Sequence, residues 1–167
     1  LLVSKGIPKD KINLIFIVPN IPKVKKIKKE IASFKFLYLG EINYLKGVTF
    51  LFSAALKIIK EFPTVQFDFC GQGSLLKFYK KVVKRFGIPK ITFHGYVSEN
   101  EKIKFYDNSS LYVFPSFRAE ASPLTLIEAT FRGLPIIASN LPQHRYLLGG
   151  ACLYCKRRDS VDLYKKM

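Results

Sequence analysis

From Phe34 onward the chain alternates short β-rich apolar runs with longer stretches whose apolar residues recur at helical spacing. This is the pattern of βαβ units around a parallel sheet. Phe34 to Leu39 predicts the first strand. Val48, Leu51, Phe52, Ala55, Ile59 and Phe62 recur at helical spacing and predict a helix that Pro63 closes. Val65 to Cys70 predicts a second strand. Leu75, Leu76, Tyr79, Val83 and Phe86 then mark one side of a helix over Leu75 to Phe86, ended by Gly87. Ile91 to Phe93 predicts a short strand, and Ser98 with Glu101 matches a capping box that opens a helix through Tyr106. Leu111 to Phe114 predicts a strand, Pro115 to Pro123 a loop, and Leu124 to Arg132 a helix with Leu124, Ile127 and Phe131 as its buried stripe. Pro135 to Ser139 adds a strand, and Asp159 with Ser160 opens another helix. The alternation, without a long structureless loop, predicts a Rossmann-like doubly wound parallel α/β sheet whose ligands bind beyond the carboxyl ends of the strands. Chemistry is therefore expected in the loops after Leu39, Cys70, Phe93 and Phe114.

Residues 1 to about 30 differ in character, with a strand-like run from Ile12 to Val18 and a basic run from Lys23 to Lys29. They read as a linker ahead of a domain covering 31–167. The chain opens on Leu1 and stops just after a helix start, so it reads as a piece of a longer protein. Its 167 residues are 49% hydrophobic and 14% aromatic, enough for one core and too apolar for a disordered segment. Lys and Arg outnumber Asp and Glu 28 to 12, a net +16 that favours an anionic partner: nucleotide, nucleic acid or acidic membrane. Nucleic acid is not expected, because no binding motif is present and the aromatics fall at core positions. No apolar run approaches the roughly 20 residues that cross a bilayer, so neither a membrane span nor a signal peptide is expected. Three cysteines, Cys70, Cys152 and Cys155, point to the reducing cytoplasm. Cys152 and Cys155 have the gap of a metal pair, but there is no second pair and His94 and His144 belong to other segments, so two small buried side chains are expected.

Three segments could carry chemistry. Gly40 to Gly47, with Lys46 at the entrance of a helix, offers backbone N–H groups and a cation to an anion such as a diphosphate. Gly71-Gln-Gly73 repeats that logic after the next strand. Glu120 and Glu128 lie eight positions apart, one in a loop and one in the following helix. A carboxylate near the sheet's carboxyl edge needs donors, and the paired hydroxyls of a sugar or ribose supply them; capping backbone N–H groups is the structural alternative for Glu128.

Gly40 with Lys46-Gly47, Gly71-Gln-Gly73, Phe93-His-Gly95-Tyr-Val97-Ser, Pro115-Ser116 with Glu120 and Glu128, and Gly133-Leu-Pro135-Ile-Ile-Ala-Ser139 follow one another in a telling order. Over about residues 12 to 160 this resembles the donor-binding half of a GT-B glycosyltransferase, most closely family 4, the retaining enzymes that use nucleotide sugars. Lys11 to Asn20 is similar to the crossover joining the two halves.

The resemblance implies a nucleotide-diphosphate sugar as partner. Gly40 and the glycines Gly71 and Gly73 would shape the donor loops, and Lys46 would neutralise the diphosphate. The loop Ala121, Ser122, Pro123, Leu124 and Thr125 would hold phosphate and sugar through its N–H groups. Glu120 would contact the transferred sugar, Glu128 the ribose, and the backbone near Tyr96 and Val97 the base. It implies no metal, because fixed cations and helix N-termini can stabilise the leaving diphosphate. Two positions depart from the family: Glu41 stands where an arginine is usual, and Ile21 follows Asn20 where glycine is usual. Glu41 would repel phosphate unless it turns away or pairs with Lys46, and Arg118 is a candidate replacement cation. The acceptor site would belong to an N-terminal domain ahead of Leu1, the acceptor being lipid-linked or a polysaccharide. The basic segments are compatible with peripheral contact at the cytoplasmic face of an anionic membrane. An idle nucleotide- or glycan-binding module is the alternative function.

Overall fold

The computed structural model describes residues 3–13, 33–120 and 122–167. Most of the Ile12 to Val18 run, the basic run Lys23 to Lys29, the Asn20-Ile21 turn and Ala121 lie outside the described residues. After two short 3-10 turns, twelve elements follow: β1 (Lys35–Leu39), α1 (Val48–Glu61), β2 (Gln66–Cys70), α2 (Leu76–Arg85), β3 (Ile91–Gly95), α3 (Glu99–Asn108), β4 (Leu111–Phe114), α4 (Leu124–Phe131), β5 (Ile136–Ser139), α5 (Pro142–Leu148), β6 (Leu153–Cys155) and α6 (Ser160–Lys166). The strands form one sheet in the order β3-β2-β1-β4-β5-β6, and every neighbouring pair is parallel. The expected doubly wound Rossmann-like sheet is present. Its strand order reverses between β1 and β4, which opens a crevice at their carboxyl ends.

Alternation along each strand divides the core between the two faces. Phe36 and Tyr38 of β1 join α1, Tyr79 of α2 and Leu163 of α6 on one face, whereas Leu37 and Leu39 join Tyr106 of α3, Leu126 and Ala129 of α4 and Leu148 of α5 on the other. The first face is built on aromatic contacts, with ring centroids 4.5 Å apart for Phe69 and Phe93 and 5.3 Å for Tyr79 and Phe93. Such pairs contribute about 0.5–1.5 kcal/mol each beyond area burial. The Ser98 capping box that opens α3 is formed in both directions, side chain to Glu101 N–H and Glu101 carboxylate to Ser98 N–H.

Two helices turn differently from their periodicity. In α4 the buried residues are Leu126, Ile127 and Ala129, while Leu124 and Phe131, expected inside, are exposed. Leu126 and the fully buried Ala129 take the face towards the sheet, which leaves Leu124 and Phe131 outside it. In α2 only Tyr79 is buried, and Phe86 stands in solvent. Phe62 likewise falls outside α1 as its exposed C-terminal cap. The short α5 and β6 carry too few residues for periodicity to announce them. Because β6 is a strand, Cys152 and Cys155 pack on opposite faces of the sheet. No disulfide joins them: all three cysteines are free, Cys155 is buried as expected but Cys152 is only half-buried, and burial pushes the Cys155 thiol up to about 11.

Candidate functional site

At the crevice the β1–α1 and β4–α4 loops meet. Gly47 caps α1 in the left-handed region, φ 76°, and a Cβ there would overlap the Pro115 carbonyl oxygen. The two loops can pack this closely only through a glycine. Phe117 N–H donates to the Leu45 carbonyl at 3.2 Å and clips them together. The result is an open cleft of about 210 Å³. Gly40, Lys46, Glu120, Ser122, Pro123, Leu124 and Thr125, all expected at the site, line it together with Tyr38, Leu39, Phe114 and Ser116.

Lys46 is the cation of this cleft, and its Nζ lies 2.8 Å from Glu120 Oε2. The pairing expected as one option, Lys46 with Glu41, does not form. Glu41 is exposed, and it is its backbone carbonyl that is engaged, accepting from the Tyr38 hydroxyl at 2.8 Å. Arg118 is also exposed. Glu120 Oε1 and Ser116 Oγ are buried and have no hydrogen-bond partner among the described residues. Buried polar atoms without partners are uncommon in native structures and call for a ligand or ordered water.

The expected glycines Gly71 and Gly73 stand beside the cleft without lining it. A Cβ at Gly71 would overlap the Gly40 carbonyl oxygen, and one at Gly73 the Ile42 carbonyl oxygen. Gly71 N–H donates to Gly95 O at 2.6 Å and Ile42 N–H to Gln72 O at 2.7 Å. These glycines interlock the β1–α1 and β2–α2 loops and so shape the cleft from behind. Tyr96 is exposed and Val97 half-buried, both outside the cleft lining.

Behind the cleft runs a polar network that periodicity could not reveal. Thr125 Oγ1 donates to Leu39 O at 3.2 Å and accepts from the Tyr112 hydroxyl at 2.8 Å, which ties the start of α4 to the end of β1. The Thr125 hydroxyl is thus committed to the scaffold. Glu128 accepts from Lys102 Nζ at 3.0 Å and 3.2 Å and from the Tyr106 hydroxyl at 2.8 Å. The carboxylate does find the donors it was expected to need, but α3 supplies two of them. Lys102 shows the balance: burial lowers its pKa, and the bonds to Glu99 and Glu128 outweigh this and raise it. Burial, reinforced by Tyr112 and Glu128, pushes the Tyr106 phenol far up.

His144 of α5 is fully buried, edge-on to Phe114 with ring centroids 5.2 Å apart. Its Nδ1–H donates to Ser139 O at 2.8 Å, which leaves Nε2 as a buried acceptor without a partner among the described residues. Burial lowers its pKa below 6.5, opposed by the Ser139 bond and the Glu120 charge. A lowered histidine pKa means the unfolded chain takes up this proton first as pH falls. The contribution to stability is therefore complete above about pH 6.5 and is lost as pH drops through that value towards the folded pKa. The melting temperature is expected to fall on acidification below about pH 6.5, and His144→Gln to flatten that part of the curve.

Among the described residues no cluster of three or more His, Cys, Asp or Glu could hold a metal ion, and no helix is long and apolar enough to cross a membrane.

Residues 19–150 match the family described as glycosyl transferases group 1, and the chain belongs to that family. It is 31% identical over 132 residues to an uncharacterised glycosyltransferase of Haemophilus influenzae, covering 77% of this chain and 36% of that protein. Identity is 27% over 121 residues to a 2-deoxystreptamine N-acetyl-D-glucosaminyltransferase of Niallia circulans, with 71% and 31% covered. Among solved structures, TarM of Staphylococcus aureus, crystallised with UDP among its ligands, superimposes with a TM-score of 0.76 at 18% identity, over 98% of this chain and 33% of that one. The shared fold is one half of a GT-B glycosyltransferase. The chain spans about a third of the length of the curated relatives it matches.

Proposed function

We propose that this chain is the donor-binding domain of a retaining family 4 glycosyltransferase, taking a nucleotide-diphosphate sugar in the cleft between β1 and β4. The observation that carries the reading is Glu120: one carboxylate oxygen is neutralised by Lys46, and the other is buried and, like the Ser116 hydroxyl, without a hydrogen-bond partner among the described residues. A sugar hydroxyl fits that second oxygen as donor, and a diphosphate fits Lys46 with the α4 N-terminus behind it. Lys46 then stabilises the leaving diphosphate as its charge develops, so the reading includes no divalent metal. The Glu128 carboxylate has acceptor capacity beyond its bonds to Lys102 and Tyr106 and takes the ribose hydroxyls; the backbone at Tyr96 and Val97 faces the base. A further N-terminal domain carries the acceptor, lipid-linked or a polysaccharide, and the protein works in the cytoplasm. Retention places the acceptor's attack on the face the diphosphate leaves.

Calorimetric titration with UDP, GDP, ADP and their sugar conjugates tests this. One nucleotide should bind selectively, its sugar conjugate more tightly than the bare diphosphate. If neither the folded chain nor the complete protein binds any of them, the reading falls. Glu41, at a position where the family usually has arginine, favours a second reading, a donor site gone idle. A large gain in affinity on Glu41→Arg would support that reading.

A further inference from the structure

The chain from residue 69 to residue 98 contains no Asp or Glu, yet it holds Lys77, Lys80, Lys81, Lys84, Arg85 and Lys90. The first five of these cations are on α2, all exposed, and none forms an ion pair among the described residues. The helix buries Tyr79 on its inner side, with Leu76 and Val83 half-buried beside it. Its outer flank is not simply a solvated polar face. Phe78 is 59% exposed and Phe86 69%. Phe78, Val82 and Phe86 follow one another at intervals of four, and Phe86 N–H still donates to Val82 O at 3.0 Å, so the helical turn continues to Phe86. They form one apolar row along the helix, exposed at Phe78 and Phe86 and half-buried at Val82, which packs against the core, with Lys81 and Arg85 immediately beside it.

We propose that α2 is a peripheral docking surface for anionic lipid, lying parallel to the bilayer with Phe78 and Phe86 in the acyl boundary and the cations among the headgroups. A strongly basic helix with bare phenyl rings along one flank is the pattern of an interfacial helix. Charge complementarity selects an anionic surface over a neutral one, because each Lys or Arg held near it adds attraction. Phenyl rings have no polar tip to keep in water, and these two lie on a convex helix flank. A nucleic-acid partner would ask for a stacking groove or a helix fitted to a groove, and α2 presents its rings on an open flank. The helix starts from the loop that interlocks with the cleft, so membrane docking would hold the donor domain at the bilayer, where a lipid-linked acceptor resides. The docking itself does not depend on the donor reading.

The chain has no tryptophan, so Phe86→Trp introduces a sole reporter at the proposed contact. Its emission is expected to shift to the blue with vesicles of two parts phosphatidylcholine to one part phosphatidylglycerol, and to stay unmoved with phosphatidylcholine alone. In the Phe86→Trp background, Lys81→Ala with Arg85→Ala should weaken vesicle binding about thirtyfold and flatten its salt dependence. Phe78→Ser should weaken binding with the salt dependence kept. All four sites are exposed, and circular dichroism verifies that each variant is folded. An unmoved emission from a folded chain overturns the proposal, as does an equal shift with phosphatidylcholine alone. Tighter binding to a homopolymer RNA than to the anionic vesicles, carried by the same two cations, would replace lipid with nucleic acid. Nucleotide titration of the same variants should be unchanged, which separates a failure here from a failure of the donor site.

Discussion

Gly71→Ala is expected to destabilise the chain by about 3 kcal/mol or more. At φ 136° the backbone is in a region that side chains rarely adopt, and the new Cβ would overlap the Gly40 carbonyl oxygen. The torsion alone costs on the order of 1–3 kcal/mol. The clash adds to it, because the opposing atom is backbone held by two hydrogen-bonded loops and cannot swing aside. For a chain of this length that corresponds to a fall in melting temperature of roughly 6–12 °C. Gly87→Ala is the control: φ is 57° and, its chain neighbours aside, no atom of the described residues lies within 4 Å of where the new methyl group would stand, so about 1 kcal/mol is expected. Denaturant unfolding of both variants measures the difference. Equal losses would mean that the Gly40–Gly71 interlock carries no stability of its own.

Lys46→Ala is expected to weaken nucleotide-diphosphate binding about ten- to a hundredfold. Hydrogen bonds to charged groups contribute about 1.5–3 kcal/mol, and each 1.4 kcal/mol is tenfold. The substitution also leaves Glu120 without its cation inside the cleft, where its charge opposes the incoming diphosphate. Glu120→Gln should behave in the opposite sense. With the carboxylate gone, Lys46 faces the diphosphate alone, so the bare nucleotide binds as well or better. In the glutamine the amide oxygen turns to Lys46 and the NH2 stands where the sugar hydroxyl would donate, so the sugar conjugate loses the advantage it held over the bare nucleotide. Calorimetry of bare and sugar-bearing nucleotide with both variants separates the two roles. Unchanged affinity in Lys46→Ala would place the diphosphate elsewhere.

Much of this architecture was legible in the order of the residues. The βα alternation predicted the doubly wound sheet, since a run of β-branched and aromatic residues of strand length and a three-to-four repeat of helix length are read locally. Lys46 and Glu120 were legible as residues of the loops after β1 and β4, at the strand ends where such a sheet binds ligands, and the structure sets both in one cleft. The rotation of α4 and α2 was not, because helix periodicity marks a stripe about 100° wide but not which edge of it meets the sheet. Phe86 and Phe131 fit the repeat and still face water.

What the sequence by itself determined is therefore the elements other than α5 and β6, their parallel arrangement and the loops at the carboxyl ends of the strands, all properties of local spacing. The tertiary structure alone decided the partners. It gave Lys46 to Glu120 and not to Glu41, and it brought Lys102 and Tyr106 from α3 onto Glu128 across 26 and 22 residues of chain. It set Gly71 against Gly40 and left the phenyl row of α2 outside the core. Each of these depends on which side chains converge once strands far apart in sequence lie side by side, and no local pattern records that convergence.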